Sequence, residues 1–255
     1  MHLFAGVQIN EYFCGLIPTF FQSADMALLH IDTSTSVCSV ALTDAGTVVF
    51  ARLSEPGVHH AAVLPLYIQA ALKEAEERRM TIEAVAVSEG PGSYTGLRIG
   101  VSSAKGLAYG LGAKPVAVPT LELLTFQALQ TIDIEEDALL CPMIDARRME
   151  VYTALYDNKL QPVESVHPQV VDKDTFSDLL RQRKVYFIGD GATKCKDIIT
   201  SDNAVFPDII HPDAAYMMPL AEKRLAEGKT ENIAYFEPFY LKEFVAAASH
   251  VKGLQ

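Results

Sequence analysis

Residues able to do chemistry gather at a few turns of this chain. At the first, Asp32 ends an apolar run and is followed by Thr33, Ser34, Thr35 and Ser36. A carboxylate beside a file of hydroxyls can hold a hydrated metal ion and offer donors to a phosphate; the same residues can also cap their own turn. That turn has no Lys or Arg to meet phosphate charge. The second is VSEGPGSYTGLRIG, residues 87–100, a glycine loop between an apolar run and a helix-like run. Nucleotide-binding folds put a phosphate loop in that position. Neither standard pattern fits: Gly90, Gly92 and Gly96 read GxGxxxG, and Leu97 stands where a Walker loop needs lysine. Nor is it a nucleophile elbow around Ser93, because Pro91 replaces the first glycine of GxSxG.

Two further groups have competing readings. IDARRMEVY, residues 144–152, carries Asp145, Arg147, Arg148 and Glu150 at a strand turn. They can face a cleft, or the Asp can pair with an Arg and pin the hairpin. His59 and His60 form one adjacent pair with no further His or Cys at ligand spacing, which favours exposed histidines at a helix start over a metal site.

The elements that must position these residues repeat. Strands are expected at 27–32, 37–43 and 47–53, a β-meander turning at 44–46. Setting Ile31-Asp32 on Ile144-Asp145 brings Ala41-Leu42 onto Ala154-Leu155 and Asp44 onto Asp157 without a gap. After the first meander come a helix at 60–79, a strand at 84–87, the glycine loop and a helix at 97–111. After the second come a helix at 174–182, a strand at 185–188, Gly189-Asp190-Gly191 and a short helix. The pattern is α/β: two ribonuclease-H-like lobes facing each other across a cleft, as in the actin-like ATPase superfamily. Residues 26–130 form the first lobe and 131–211 the second, with IDIEED at the joint. Residues 212–241 carry a helix over 212–227 and pack back on the first lobe, and 242–255 form a tail.

The helix at 97–111 has two small-residue files, Gly96, Gly100, Ala104 and Ser102, Gly106, Gly110. An interior glycine costs ~1 kcal/mol against alanine, so close packing must offset it. His60, Leu64, Ile68, Arg98, Ser102, Gly106 and Gly110 are the candidate partner surface.

The whole chain narrows the classes. Its 255 residues, 49% hydrophobic, suffice for a sizeable core. A net charge of −11 argues against gripping nucleic acid through its own surface. Cys14, Cys38, Cys141 and Cys195 are scattered without CxxC spacing, which suits free thiols in the cytoplasm and predicts no disulfide or zinc site. Residues 1–25 lack Lys and Arg, and Pro18 breaks their apolar stretch. They read as an extension outside the fold, neither signal peptide nor membrane span.

IDTSTSVCSVAL, GPGSYTGLRIG, IDARRMEVY and the terminal EPFYL resemble, in order and spacing, the bacterial TsaB (YeaZ) family, over residues 26–241. Tyr94 stands where that family usually has phenylalanine, and the first 25 residues have no counterpart. The resemblance implies an actin-like fold and a part in placing threonylcarbamoyl on the adenosine beside the anticodon of tRNAs that read ANN codons. It implies a subunit without catalysis that binds the catalytic paralogue TsaD, with the ATPase TsaE joining. It also implies tRNA contact only through that complex and a homodimer when alone. The TsaD metal motif, Asn-His-x-Glu-x-His, falls on VPTLELLTF, where Thr120 and Leu124 replace both histidines and only Glu122 remains. No cofactor is then required, with ATP or ADP conceivable at the complex interface. The competing reading is an enzyme: an ATP-binding or ATP-hydrolysing actin-like protein using Asp32, Thr33, Ser34 and Thr35, or a glycoprotease-type peptidase.

Overall fold

The structure, a computed structural model, describes residues 27–242; the expectations for 1–25 and 243–255 lie outside the described residues. Strands β1 (Ala27–Asp32), β2 (Ser39–Asp44), β3 (Thr47–Leu53), β4 (Ile82–Gly90) and β5 (Lys114–Pro119) form one sheet in the order β3-β2-β1-β4-β5. Strands β6 (Leu139–Asp145), β7 (Glu150–Tyr156), β8 (Pro162–Val170), β9 (Val185–Ile188) and β10 (Ala204–Val205) form another in the order β10-β9-β6-β7-β8. Read from its other end, the second sheet repeats the first: an antiparallel meander whose first strand also pairs in parallel with the fourth. Asp32 and Asp145 end equivalent strands. The fold is therefore the expected pair of actin-like lobes.

Strand β1 is buried along its length because it sits between β2 and β4 with helices on both faces. Its alternate residues feed two cores. Leu29 and Ile31 pack with α1 (His60–Glu77) and α2 (Tyr94–Leu111), whereas Leu28 meets Phe126, Met217 and Leu220. Helix α3 (Thr120–Thr131) lies between the sheets: Leu121 and Leu124 pack on the second, Leu123 and Phe126 on the first. Such a helix has no solvent stripe, which is why its sequence is apolar nearly all round. The hydroxyl of Thr125 is satisfied by donating to the Leu121 carbonyl at 2.7 Å.

The second sheet's outer face carries α4 (Ser177–Leu180) and α5 (Asp190–Cys195). The helix expected at 174–182 is one turn only. Asp172 and Thr175 hold each other and the Asp174 amide in a turn, competing with helical hydrogen bonds over 172–175. The helix expected at 212–227 is likewise divided, into a 3-10 turn Ala214–Tyr216 and α6 (Met218–Ala226), with Pro219 in the first turn of the latter. Both pieces pack on the first lobe, where Met217, Leu220 and Ala221 join the core under β1, β4 and β5. Cys38, Cys141 and Cys195 are buried free thiols. Among the described residues no helix is long and apolar enough to cross a membrane.

Candidate functional site

The glycine loop is folded onto the Asp32 turn. Ser93 N–H donates to the Ser34 carbonyl at 2.7 Å, and the Thr33 hydroxyl donates to the Gly96 carbonyl at 2.7 Å. A Cβ on Gly92 would stand 2.4 Å from Ser34 O; one on Gly96, 2.1 Å from Thr33 O; one on Gly100, 2.2 Å from Thr33 Oγ1. Gly92 and Gly96 let the loop backbone touch the backbone of the turn, and Gly100 makes room for the Thr33 side chain. The Ser93 hydroxyl is the N-cap of α2, accepting from Gly96 N–H at 3.2 Å. The Ser93 and Gly96 amides, which a phosphate loop would point outward, are here used inside the protein.

A cleft of about 780 Å³ opens between the lobes, walled by Ser34–Ser36 and Ser93–Gly96 on one side and by Ile144–Arg147, Tyr152 and Asp190 on the other. Of the four candidate nucleotide residues, Ser34 and Thr35 line it, while Asp32 and Thr33 point inward. Asp32 is fully buried and accepts from the Ser34 hydroxyl at 2.9 Å and the Ser34 amide at 3.2 Å. Burial pushes its carboxyl up to about 6, against the lowering contacts of Ser88 and Ser34. Asp190, across the cleft, is also pushed up to about 6, first by burial, although its carboxylate accepts from Asp145 N–H at 2.9 Å. Thr35 touches Nδ1 of His211 at 3.1 Å. With Thr35 only 4% exposed, that pair ties the chain leaving the second lobe to the first lobe's turn.

Several sequence readings need correction. Asp145 pairs with Lys194 of α5, so neither arginine side chain pins that hairpin. Arg147 reaches Asp145 only through its backbone N–H, at 2.8 Å. Arg147 and Arg148 are exposed, and both hold positive φ, 74° and 53°. That region costs a bulky residue ~1–2 kcal/mol. His59 is exposed as expected, but His60 is half-buried, and its Nε2 lies buried without a partner among the described residues. Leu64, with no exposure, and Ile68, at 9%, belong to the first-lobe core and cannot serve a partner surface. Glu122 forms a largely buried ion pair with Arg224, so it joins α3 to α6. Thr120 and Leu124, at the positions of the metal-motif histidines, are fully buried, Leu124 against the second sheet.

Helix α2 uses its two small-residue files differently. Gly96, Gly100 and Ala104 lie buried against the Thr33 turn and the first-lobe core. Ser102, Gly106 and Gly110 face solvent with Arg98, and a Cβ on Gly106 or Gly110 would meet nothing within 4 Å. Tyr109 is 79% exposed on the same helix, and Leu66 of α1 is 60% exposed. The chain after α6 runs beside α2: the Lys105 ammonium donates to the Phe236 carbonyl at 2.8 Å, and Phe239 N–H donates to Glu89 O at 2.8 Å. Tyr240 packs on Tyr94 with ring centroids 4.9 Å apart, and Lys242 pairs with Glu150 of the second lobe. EPFYL is thus the strap that closes one side of the glycine loop.

A family model described as TsaD, tRNA N6-adenosine threonylcarbamoyltransferase, matches residues 55–249. The tRNA threonylcarbamoyladenosine biosynthesis protein TsaB of Escherichia coli is 32% identical over 229 residues, covering 87% of this chain and 96% of that protein. The chain belongs to the TsaB (YeaZ) family. Another member, TsaB of Haemophilus influenzae, is 28% identical over 230 residues, covering 87% of this chain and 95% of its own length. Among solved structures, YeaZ from Pseudomonas aeruginosa superposes with a TM-score of 0.69 at 26% identity, covering 85% of this chain and all of that one. The family's glycine block and EPFYL are the two segments that meet over Glu89 and Gly90 here.

Proposed function

We propose that this chain is the non-catalytic scaffold subunit of the assembly that makes threonylcarbamoyladenosine in tRNA. It binds and supports the catalytic paralogue TsaD, and the ATPase TsaE joins them. The observation that carries this reading is the open file Ser102, Gly106, Gly110 on α2. Its sister file is offset by packing inside the molecule, whereas the two solvent-facing glycines are offset by nothing among the described residues. A partner helix lying across them supplies the missing packing. Arg98, Ser102, Gly106 and Gly110, with the exposed start of α1, are the docking surface, and a second copy of the chain occupies it when TsaD is absent. The chain requires no cofactor of its own, any ATP or ADP sits at the interface with TsaD, and the work is done in the cytoplasm. Membership of the TsaB family supports the reaction assigned, and the inward-bonded Ser93 and Gly96 amides of the glycine loop support a subunit without chemistry of its own. The test is reconstitution: TsaD and TsaE with and without this chain, assayed for modified adenosine. Modification that depends on the chain supports the proposal; equal modification without it refutes it.

A further inference from the structure

We infer that Arg147 and Arg148 form a contact for the phosphate backbone of RNA at the mouth of the interlobe cleft, used once the chain is in its complex; the inference rests on the function proposed above. The two arginines occupy the β6–β7 turn, where the chain runs at φ 74° and 53°, a conformation that suits glycine or asparagine. Nothing within the described molecule repays arginine there. The neighbouring cations are spent, Lys194 on Asp145 and Lys242 on Glu150, but among the described residues neither guanidinium has a hydrogen bond, an ion pair or a ring contact. Both are exposed at the tip of a hairpin on a chain of net charge −11.

Two guanidiniums unpaired among the described residues, carried on backbone at positive φ by a chain of net charge −11, fit a polyanion that the rest of the chain would repel. Arginine is the residue suited to phosphate oxygens, which its planar fork meets with paired N–H groups. RNA fits better than a free nucleotide. A bound phosphate needs several donors converging on it, and the Ser93 and Gly96 amides of the glycine loop, with the Thr33 hydroxyl and the Ser34 amide of the Asp32 turn, are already used within the protein. Arg148 lies outside the residues that line the cleft, as a contact to a passing backbone requires.

The test is the double variant Arg147→Asn/Arg148→Gly, whose new residues both accept positive φ, so the turn keeps its shape. It is assembled with TsaD and TsaE, and tRNA binding is measured across a salt series. The expected result is normal assembly, tRNA affinity several-fold weaker at low salt, and a salt slope reduced by about 1–2, as loss of one or two phosphate contacts demands. ATP or ADP affinity should not change, and Arg147→Lys should restore part of the slope. Normal assembly with wild-type affinity and slope overturns this inference alone, as does a loss confined to nucleotide binding. A wild-type chain that fails to assemble with TsaD overturns the scaffold reading itself.

Discussion

The hydroxyl of Thr33 donates to the Gly96 carbonyl at 2.7 Å, and its oxygen would lie only 2.2 Å from a Cβ placed on Gly100, one helical turn further on. Helix α2 therefore rests directly on the β1–β2 turn, Gly96 against the Thr33 carbonyl and Gly100 against the Thr33 side chain. Gly100→Ala should push the two apart and destabilise the protein by about 1–3 kcal/mol. Gly106→Ala, on the same helix with open space around it, should stabilise by up to ~1 kcal/mol. Thermal melts of the pair give the comparison: opposite signs are expected, and equal effects would contradict this division of α2 into an inner and an outer face.

Buried Asp32 sets a pH dependence. Its carboxyl is raised from 3.8 to about 6, so the folded state holds its proton more tightly than the unfolded chain. Its contribution to stability is complete below pH ~4 and is lost as pH rises through ~6, on the order of 3 kcal/mol at most. Asp32→Asn keeps an acceptor for the Ser34 hydroxyl and removes the charge. Its Tm should exceed that of wild type by several degrees at pH 7.5 and match it near pH 4. His30, pushed down to about 3 by burial, works in the opposite direction but is common to both proteins. A lower Tm for the variant at pH 7.5 would show that the fold needs the ionised carboxylate.

The Glu122–Arg224 pair should behave as a structural tie. With side chains 17% and 16% exposed, removing either partner leaves a poorly solvated charge between α3 and α6. Arg224→Met and Glu122→Gln should each cost about 3 kcal/mol, and the double variant should cost less than their sum. A denaturant-melt cycle measures the coupling. Additive losses would mean the two side chains act independently.

Much of this was legible in the sequence because it lies in strands. The duplicated meander could be aligned without a gap, since the period of two and the terminal aspartates Asp32 and Asp145 mark equivalent strands. Helix ends were less legible: α4 is cut short by the Asp172–Thr175 turn, a side-chain contest that apolar periodicity does not register. Leu64 and Ile68 look like surface anchors only until the first sheet is placed beneath them. The partners of the site residues were hidden by distance along the chain. Lys194 meets Asp145 across 49 positions and Arg224 meets Glu122 across 102, and local spacing gives no sign of either. EPFYL signalled its importance only as a motif; its reason, the hydrogen bond from Phe239 to Glu89, required the fold.

A partner docking on the outer face of α2 must cover Gly106. Gly106→Leu is the test, because a Cβ added there meets nothing within 4 Å among the described residues and the position faces solvent, so the fold should tolerate the side chain. The measurement is co-purification of the variant with TsaD, alongside the Tm of the isolated variant. Binding should be lost while the Tm stays within a few degrees of wild type. Undiminished binding by a folded Gly106→Leu variant would contradict it.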